Sequence, residues 1–522
     1  MRLKPDLPAS PYAPLRGNGP ESIPYTGGNA NDPHHAKPAS AAFFTKAQLL
    51  GAASLDYARG KLFLGRLDQK MIGIADGRHI VTLAGSGGGK SVCSLIPNLM
   101  LYEGSTLVLD PKGELAAATA RHRAEKLGQR VLVLDPWAAS GESTKPYRLD
   151  DNGNPLGFNP LEELAKGDPD NLIDDADMIA DALIIPAKGE AHWTDSARAL
   201  VRALILWLVL SDDDERGGPL SIALLPTLIA KLAETVRAQD EKGGTDKPKT
   251  SLLDVLAGFD LGGACPEVQS VINNQGQMML GTSPKERASI LSTARTQLAF
   301  LESPQLGRAL AKSMLGLPDL KREACTVYLC LPASRMGTHS RWLRLIVNLA
   351  IAAMEREPTK PPLPVLFMLE EFAALGHMRA LENAVAYMRG FGVKLWAVLQ
   401  DLGQLKQHYK ESWETFLGNA GVLQAFSVND DTTSSYLSKR LGQTTIVITN
   451  KESVGSHGAA SGDTGERRQF QSHALLSPDE IGIAFAHKVA PEGHALGGMS
   501  LVLWSGKAPM MVERVFYGEL VQ

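Results

Sequence analysis

The sequence contains a glycine-rich loop made of the residue types that bind phosphate. Residues 84–91 are Ala-Gly-Ser-Gly-Gly-Gly-Lys-Ser, with the short apolar run 80–83 before them and an apolar segment of helical period after them. Glycines let backbone N–H groups turn toward an anion, and the start of the next helix adds the positive end of its dipole. In such a loop Lys90 would reach the β- and γ-phosphates, and the Ser91 hydroxyl would bind Mg²⁺.

The alternative is an ordinary glycine-rich turn that ends in Lys-Ser by chance. The strand before the loop and the helix after it favour the phosphate loop, because both belong to the motif. Ala84 replaces the first glycine of the strict pattern, which exchanges one small residue for another. The expected nucleotide contacts within the loop are Gly85, Ser86, Gly87, Gly88, Gly89, Lys90, Ser91 and Val92.

Two adjacent carboxylates, Glu370 and Glu371, follow a second apolar run at residues 365–369. In ATPases the first carboxylate at such a strand end orders the water shell of Mg²⁺, and the second polarises the attacking water. The sequence therefore predicts that Glu370 holds Mg²⁺ through water and that Glu371 is the catalytic base. Glu370 is one methylene longer than the Asp that is commoner there. The alternative is an ordinary polar strand end.

Two further residues lie where they could act on a nucleotide. Gln400 ends the buried strand 393–399, and a neutral amide there can sense the γ-phosphate or orient water. Arg389 lies at the turn that leads into that strand, from which an arginine can reach the nucleotide of a neighbouring subunit. The alternatives are an ordinary turn residue for Gln400 and a solvated surface arginine for Arg389.

Short apolar strands alternate with helical segments around these residues. Strands are predicted at 105–109 and 130–134, with a helix at 113–127 between them. This rhythm is typical of an α/β fold with a mainly parallel sheet and helices on its faces. Both strands end in Asp-Pro, the first at Asp110, on the carboxyl edge where α/β folds bind ligands. A lead-in hairpin begins near residues 61–65, and a strand pair at 500–504 and 510–517 closes the chain.

The pattern becomes purely helical in the middle of the chain. We expect an all-helical domain at residues 168–312, inserted into a discontinuous nucleotide-binding domain at 43–167 and 313–522. The Pro- and Gly-rich residues 1–42 are expected to form an extended or disordered arm. The helices predicted in the insertion are 171–185, 192–210, 220–239, 251–258 and 285–301.

The composition is that of a soluble globular protein, and the length predicts two or more domains or one large one. Of 522 residues, 44% are hydrophobic and 21% are charged, and the net charge of −4 gives no general case for binding nucleic acid. The four cysteines lack metal-ligand spacing. Their even number is compatible with disulfides, but a large nucleotide-binding chain is expected to be cytosolic and reduced. No apolar run approaches the roughly 20 residues that a membrane span needs.

Several of these motifs together resemble the coupling-protein ATPases of type IV secretion and conjugation. The most specific are Asp-Pro-Lys-Gly-Glu at 110–114 and Glu-Glu-Phe-Ala-Ala-Leu-Gly at 370–376, and the resemblance extends over residues 75–485. The other matching segments are 84–91, 130–136, 158–161, 192–193, 399–405 and 429–442.

The resemblance implies a RecA-like P-loop NTPase domain with an inserted all-α domain, and six subunits in a ring. It implies ATP and Mg²⁺ at Lys90 and Ser91, Glu371 as the base, Gln400 as the sensor and Arg389 as a finger acting in trans. Asp110 is expected near the same site. The implied partners are relaxosome DNA, secreted protein substrates and components of a type IV secretion channel at the cytoplasmic face of the bacterial inner membrane.

The sequence departs from that family in two places. Glu370 replaces the usual Asp, and N-terminal membrane helices are absent from the sequence. We therefore expect membrane contact only through a partner or through helices missing from this sequence. Two other functions stay open: a ring-shaped double-stranded DNA pump of the chromosome-segregation type, where the long helical insertion is not expected, and a nucleotide-dependent substrate adaptor with little turnover.

Overall fold

The computed structural model describes residues 41–185, 191–241, 251–452, 465–486, 488–489, 495–496 and 498–520. Apart from residues 41 and 42, the predicted N-terminal arm lies outside the described residues. The strands found in the described residues are β1 (Leu62–Leu67), β2 (Lys70–Ile74), β3 (His79–Ala84), β4 (Thr106–Asp110), β5 (Arg130–Leu134), β6 (Cys325–Cys330), β7 (Val365–Leu369), β8 (Val393–Leu399), β9 (Ala420–Phe426), β10 (Gln443–Glu452), β11 (Gly465–Ala474), β12 (Lys488–Val489), β13 (Ala495–Leu496), β14 (Met499–Trp504) and β15 (Met510–Glu513).

The described residues are also rich in helix, and many of the helices are short. None of them has both the length and the apolar character that a bilayer-spanning segment requires. The helices are α1 (Lys46–Gly51), α2 (Ile96–Leu101), α3 (Glu114–Glu125), α4 (Lys145–Arg148), α5 (Pro160–Lys166), α6 (Leu172–Leu183), α7 (Ala191–Leu210), α8 (Asp213–Arg216), α9 (Leu225–Glu241), α10 (Leu252–Ala257), α11 (Pro266–Gly281), α12 (Pro284–Leu298), α13 (Pro304–Ala309), α14 (Asp319–Arg322), α15 (Ala333–Arg356), α16 (Arg379–Ala384), α17 (Leu402–Tyr409), α18 (Trp413–Gly418), α19 (Asp431–Leu441) and α20 (Pro478–Ala484).

The chain divides into two compact units. The first unit comprises Met1–Tyr102 and Trp396–Gln522, and the second comprises Glu103–Leu395. The division falls inside β8, whose residues are shared between the two units. This division differs from the predicted boundaries at residues 168 and 312, so the inserted domain stays a prediction.

The sheet of the first unit has the strand order β2-β1-β15-β14-β9-β3-β8. β3 is parallel to β9 and to β8, whereas the remaining neighbours are antiparallel. Every residue of β3 is buried, as expected for a strand covered on both faces. The predicted lead-in hairpin is confirmed as β1 and β2, and the closing strand pair as β14 and β15.

The sheet of the second unit has the strand order β7-β4-β6-β5, and all of its pairs are parallel. Leu109 on β4 pairs with Leu369 on β7, and Asp110 pairs with Cys330 on β6. Side chains that follow these strands therefore lie at one carboxyl edge. The predicted α/β fold with a mainly parallel sheet is confirmed.

The described residues between β5 and β6 are helical apart from their turns and one isolated β-bridge. Of these helices the sequence patterns predicted α6, α7, α9, α10 and α12 and missed the others. The longest of the missed helices is α11, whose Asn and Gln residues dilute its apolar stripe. Its start has the expected signal, because Pro266 occupies the first helical turn. Gly276 lies inside α11 because α10 passes close by: a Cβ there would lie 2.5 Å from the backbone nitrogen of Ala257.

Candidate phosphate and carboxylate sites

The glycine-rich loop of the first unit connects β3 to a five-residue π-helical turn, Ser91–Leu95, that continues into α2. The Gly88 N–H donates to the Gly85 carbonyl at 3.1 Å, which closes the loop on itself. Gly87 and Gly89 have φ angles of +71° and +85°, in the left-handed region that favours glycine. Alternating backbone conformations of this kind turn successive N–H groups to one side and create an anion-binding concavity.

β9 supports the outer side of this loop. The Gly85 N–H donates to the Ser427 carbonyl at 3.1 Å. A Cβ at Gly85 would lie 2.6 Å from that carbonyl oxygen, and a Cβ at Gly88 would lie 2.8 Å from the Ser427 Cβ. Both positions therefore require glycine because of close packing rather than because of backbone conformation alone.

A buried polar network fixes the helix that follows the loop. The Gln424 Oε1 accepts hydrogen bonds from the Ser94 hydroxyl at 3.0 Å and from the Thr82 hydroxyl at 3.4 Å. The Trp396 indole N–H donates to the Thr82 Oγ1 at 2.9 Å. Asn98 joins α2 to β1 by accepting from the Phe63 N–H and donating to the Phe63 carbonyl, both at 2.8 Å. These contacts hold Lys90, itself buried, in a fixed frame.

The structure places Gln400 beside the start of the same loop. Leu399 on β8 pairs with Leu83 on β3, so Gln400 follows its strand at the same edge as Ala84. The Gln400 N–H donates to the Gln404 Oε1 at 3.0 Å, and its side chain is half-buried. This is the position predicted for a residue that senses the phosphate end of a nucleotide.

In the second unit, Asp110 is the last residue of β4 and Glu370 follows the neighbouring strand β7, and both residues are buried. Asp110 is fully buried; its Oδ2 accepts the Ala116 N–H at 2.8 Å, and its Oδ1 has no hydrogen-bond partner among the described residues. Burial raises the pKa of Asp110 to about 7, and the charge of Glu370 adds to this shift. Asp110 is therefore substantially protonated near neutral pH.

Glu371 has an unusual backbone for a residue with a side chain. Its φ of +54° lies in the left-handed region, which costs of order 1 kcal/mol for a residue other than glycine. The Glu370 N–H donates to the Leu109 carbonyl at 3.3 Å, and a 3₁₀ turn, Phe372–Leu375, begins directly after Glu371. The left-handed residue lies between the end of β7 and the 3₁₀ turn, where the chain changes direction. Such strain is typical of functional positions.

Arg344, which the sequence patterns did not single out, holds this turn in place. It lies on α15 and is buried, and its Nη1 donates to the carbonyls of Leu375 at 2.5 Å and His377 at 2.7 Å. A charged hydrogen-bond donor shared between two carbonyls fixes the path of the chain immediately after Glu371. The sequence feature that could have indicated a role for Arg344 is the position of a charged residue within the apolar segment of α15.

Arg389 lies on the 3₁₀ turn Met388–Phe391, where its side chain is exposed. It forms no hydrogen bond or ion pair with Asp110, Glu370 or Glu371. The structure thus groups Asp110 with Glu370 and keeps Arg389 on the surface, where either a finger acting in trans or a solvated arginine is expected.

Two residues of the first unit that contact the loop were also missed by the sequence patterns. Ser427 follows the buried strand β9, so a polar residue at a strand end was an available signal. Arg514, just beyond β15, donates from Nη1 to the Gly88 carbonyl at 2.5 Å. In the sequence, Arg514 is distinguished only as a charged residue within an apolar segment. Gly88, which it contacts, lies 426 positions earlier in the chain.

A family model for type IV secretory system conjugative DNA transfer matches residues 39–520. The chain is 28% identical to the conjugal transfer protein TraG of Escherichia coli over 418 residues, which covers 77% of this chain and 61% of that protein. It is 26% identical to the protein VirD4 of Rhizobium radiobacter over 445 residues, which covers 84% of this chain and 57% of that protein. The chain thus spans about three-fifths of the length of these curated relatives.

Among solved structures, the chain is similar to the plasmid coupling protein TrwB in complex with ADP and Mg²⁺. The TM-score is 0.52 at 14% identity, with coverage of 88% of this chain and 91% of that one. At this identity the likeness shows the fold, a large and mostly parallel sheet with many helices. The family match covers nearly the whole sequence, and the chain belongs to the type IV secretory system conjugative DNA transfer family.

Proposed function

We propose that this chain is an ATP-hydrolysing coupling protein that brings DNA, protein substrates or both to a type IV secretion channel. The observation that carries the proposal is the glycine-rich loop between β3 and α2, with buried Lys90 at its end. The Gly85 carbonyl accepts the Gly88 N–H and the Gly88 carbonyl accepts Arg514, so neither of these carbonyls is left to face an anion. This arrangement suits an anion such as a nucleotide phosphate.

The residues of the loop fit a nucleotide with Mg²⁺, as in the TrwB structure that contains ADP and Mg²⁺. Close packing at Gly85 and Gly88 leaves no room for side chains, so backbone N–H groups can approach the phosphates. We assign the β- and γ-phosphates to Lys90 and the metal to the Ser91 hydroxyl. The metal would supply charge neutralisation at the phosphates. We assign further nucleotide contacts to Ser86, Gly87, Gly89 and Val92.

The carboxylates are assigned the chemical step. Glu371 acts as the general base that takes a proton from water, and Glu370 orders the metal through water. Arg344 supports this assignment, because it fixes the turn immediately after Glu371. Gln400 orients water or senses the terminal phosphate. We place Asp110 near the same site, at the end of the neighbouring strand β4.

Assembly and location follow from the same proposal. Six subunits form a ring in which the exposed Arg389 of one subunit completes the nucleotide site of the next. The expected partners are relaxosome DNA, secreted proteins and channel components. The ring works at the cytoplasmic face of the bacterial inner membrane.

The test is ATP hydrolysis by the purified chain, measured as phosphate release with and without single- or double-stranded DNA. We expect turnover that rises with protein concentration and with DNA, since both favour assembly of complete sites. Lys90→Ala should abolish it, and Arg121→Ala, a change on the exposed face of α3, should not. Negligible turnover of the wild type under every condition would favour the adaptor function and contradict the proposal.

A further inference from the structure

Arg514 contacts the phosphate loop from outside and is itself enclosed by the first unit. Its side chain is only 3% exposed. Nη1 donates to the Gly88 carbonyl at 2.5 Å and Nη2 to the Ala486 carbonyl at 3.1 Å. The guanidinium lies over the Phe426 ring, 4.6 Å from its centroid. Three neighbours thus fix the plane of the guanidinium, which is the geometry for which arginine rather than lysine is suited.

The hydrogen bond to Gly88 sets the direction of the next backbone donor. In a planar trans peptide the carbonyl and the following N–H point in opposite directions. Because the Gly88 carbonyl points outward to Arg514, the Gly89 N–H points to the inner side of the loop. Gly89 has a φ of +85°, in the region that glycine adopts readily, so this peptide could otherwise rotate. Arg514 therefore holds one N–H of the phosphate cradle in its binding direction.

The charge of Arg514 lacks an anionic partner within the described residues. It makes no ion pair there, and its Nε is buried without a hydrogen bond. The neighbouring Cys93 does not supply a negative charge, since burial raises the pKa of its thiol to about 11. A buried cation without a counter-charge is unfavourable, and an anion held close by relieves that cost. The phosphates assigned to this loop are such an anion.

We propose that Arg514 is a positioning residue for the nucleotide: it orients the Gly89 N–H through the Gly88 carbonyl and adds positive charge behind the phosphate cradle. This inference rests on the proposed function, because it concerns the same phosphate loop. It also assigns a role to Gly498, whose Cβ would lie 2.4 Å from the Arg514 Nη2. Any side chain at that position would displace the guanidinium from the loop.

The experiment measures ADP–Mg²⁺ affinity by isothermal titration calorimetry for the wild type, Arg514→Met and Arg514→Lys. Methionine removes the charge and the hydrogen bonds at similar size, whereas lysine keeps the charge and can make only part of the contact. We expect the dissociation constant to rise about tenfold or more in Arg514→Met, the scale for losing a charged hydrogen bond, and to rise less in Arg514→Lys. The KM for ATP should rise in parallel, with a smaller change in kcat.

Two further variants separate positioning from folding. Gly498→Ala keeps Arg514 but displaces it, so it should weaken ADP binding as Arg514→Met does. Arg440→Met, an exposed arginine of the same unit, is the matched control and should bind ADP like the wild type. Melting temperatures measured without nucleotide show whether a variant with altered ADP affinity also has a less stable fold.

Unchanged ADP affinity in folded Arg514→Met or Gly498→Ala, with the wild type binding ADP, would overturn this inference and leave the proposed function intact. A lower melting temperature with normal affinity would assign Arg514 a structural role only, which also overturns it. If the wild type itself failed to bind ADP, the proposed function would fall and the inference with it.

Discussion

Asp110 offers a test of the carboxylate site that does not depend on nucleotide. Its carboxyl group is fully buried, with one oxygen bonded to the Ala116 N–H and the other lacking a hydrogen-bond partner among the described residues. Asp110→Asn keeps the shape and the acceptor for Ala116, and it replaces the other oxygen by an NH₂ group. The Asn side chain is uncharged at every pH. Comparing the variant with the wild type therefore isolates the free-energy cost of ionising Asp110.

The direction and size of the effect follow from the pKa. Burial raises the pKa of Asp110 from 3.8 to about 7, so between these values the native state holds a proton that the unfolded state has lost. Stability therefore falls as the pH rises through this window, by about 4 kcal/mol in total. Between pH 6 and pH 8 the native carboxyl loses most of its proton, which corresponds to about 1 kcal/mol.

Urea unfolding at pH 6 and pH 8 measures this difference. We expect the unfolding free energy of Asp110→Asn, relative to the wild type, to rise by about 1 kcal/mol from pH 6 to pH 8. Asp151→Asn, at an exposed aspartate, is the control and should show no pH-dependent difference. A relative stability of Asp110→Asn that stays constant, or that falls toward pH 8, would contradict the raised pKa, because Asp110 would then be ionised in the folded protein.

Three further changes test other parts of the account. Gly88→Ala should weaken ADP binding about tenfold or more in calorimetry, because its Cβ would lie 2.8 Å from the Ser427 Cβ; normal affinity would show that the loop has room there. Arg344→Met should lower kcat for ATP more than it changes ADP affinity, since Arg344 fixes the turn after Glu371; an affinity loss with normal kcat would contradict this. Mixing Arg389→Ala with Glu371→Gln should partly restore activity, and no recovery in co-assembled mixtures would exclude a finger acting in trans.

The strands and their polar ends could be predicted because each depends on local sequence. β3, β4, β7 and β8 are short apolar runs, and each is followed by a residue that the chemistry needs. Hydrophobic burial explains the runs. Parallel pairing within each unit explains why the ends of β3 and β8 share an edge, and why those of β4 and β7 do. The positions of Asp110, Glu370 and Gln400 at strand ends followed directly from this pattern.

The supports of the site could not be predicted, because they come from contacts between distant parts of the chain. Arg514 reaches Gly88 across 426 positions, and no local pattern indicates which carbonyl a buried arginine will bind. Ser427 supports Gly85 only because β9 is the parallel neighbour of β3, and the sequence does not specify strand order. The left-handed backbone of Glu371 has no sequence signal either, since glutamate rarely adopts it.

The proposal that this chain hydrolyses ATP with Glu371 as the general base is tested most directly by separating ATP binding from ATP hydrolysis. Glutamine keeps the size and hydrogen-bonding capacity of this side chain but cannot accept the proton of the attacking water. We predict that Glu371→Gln binds ATP–Mg²⁺ with nearly normal affinity while phosphate release falls by at least about 100-fold. Hydrolysis at the wild-type rate by Glu371→Gln, or a stall produced by Glu370→Gln instead, would contradict the assignment of the general base.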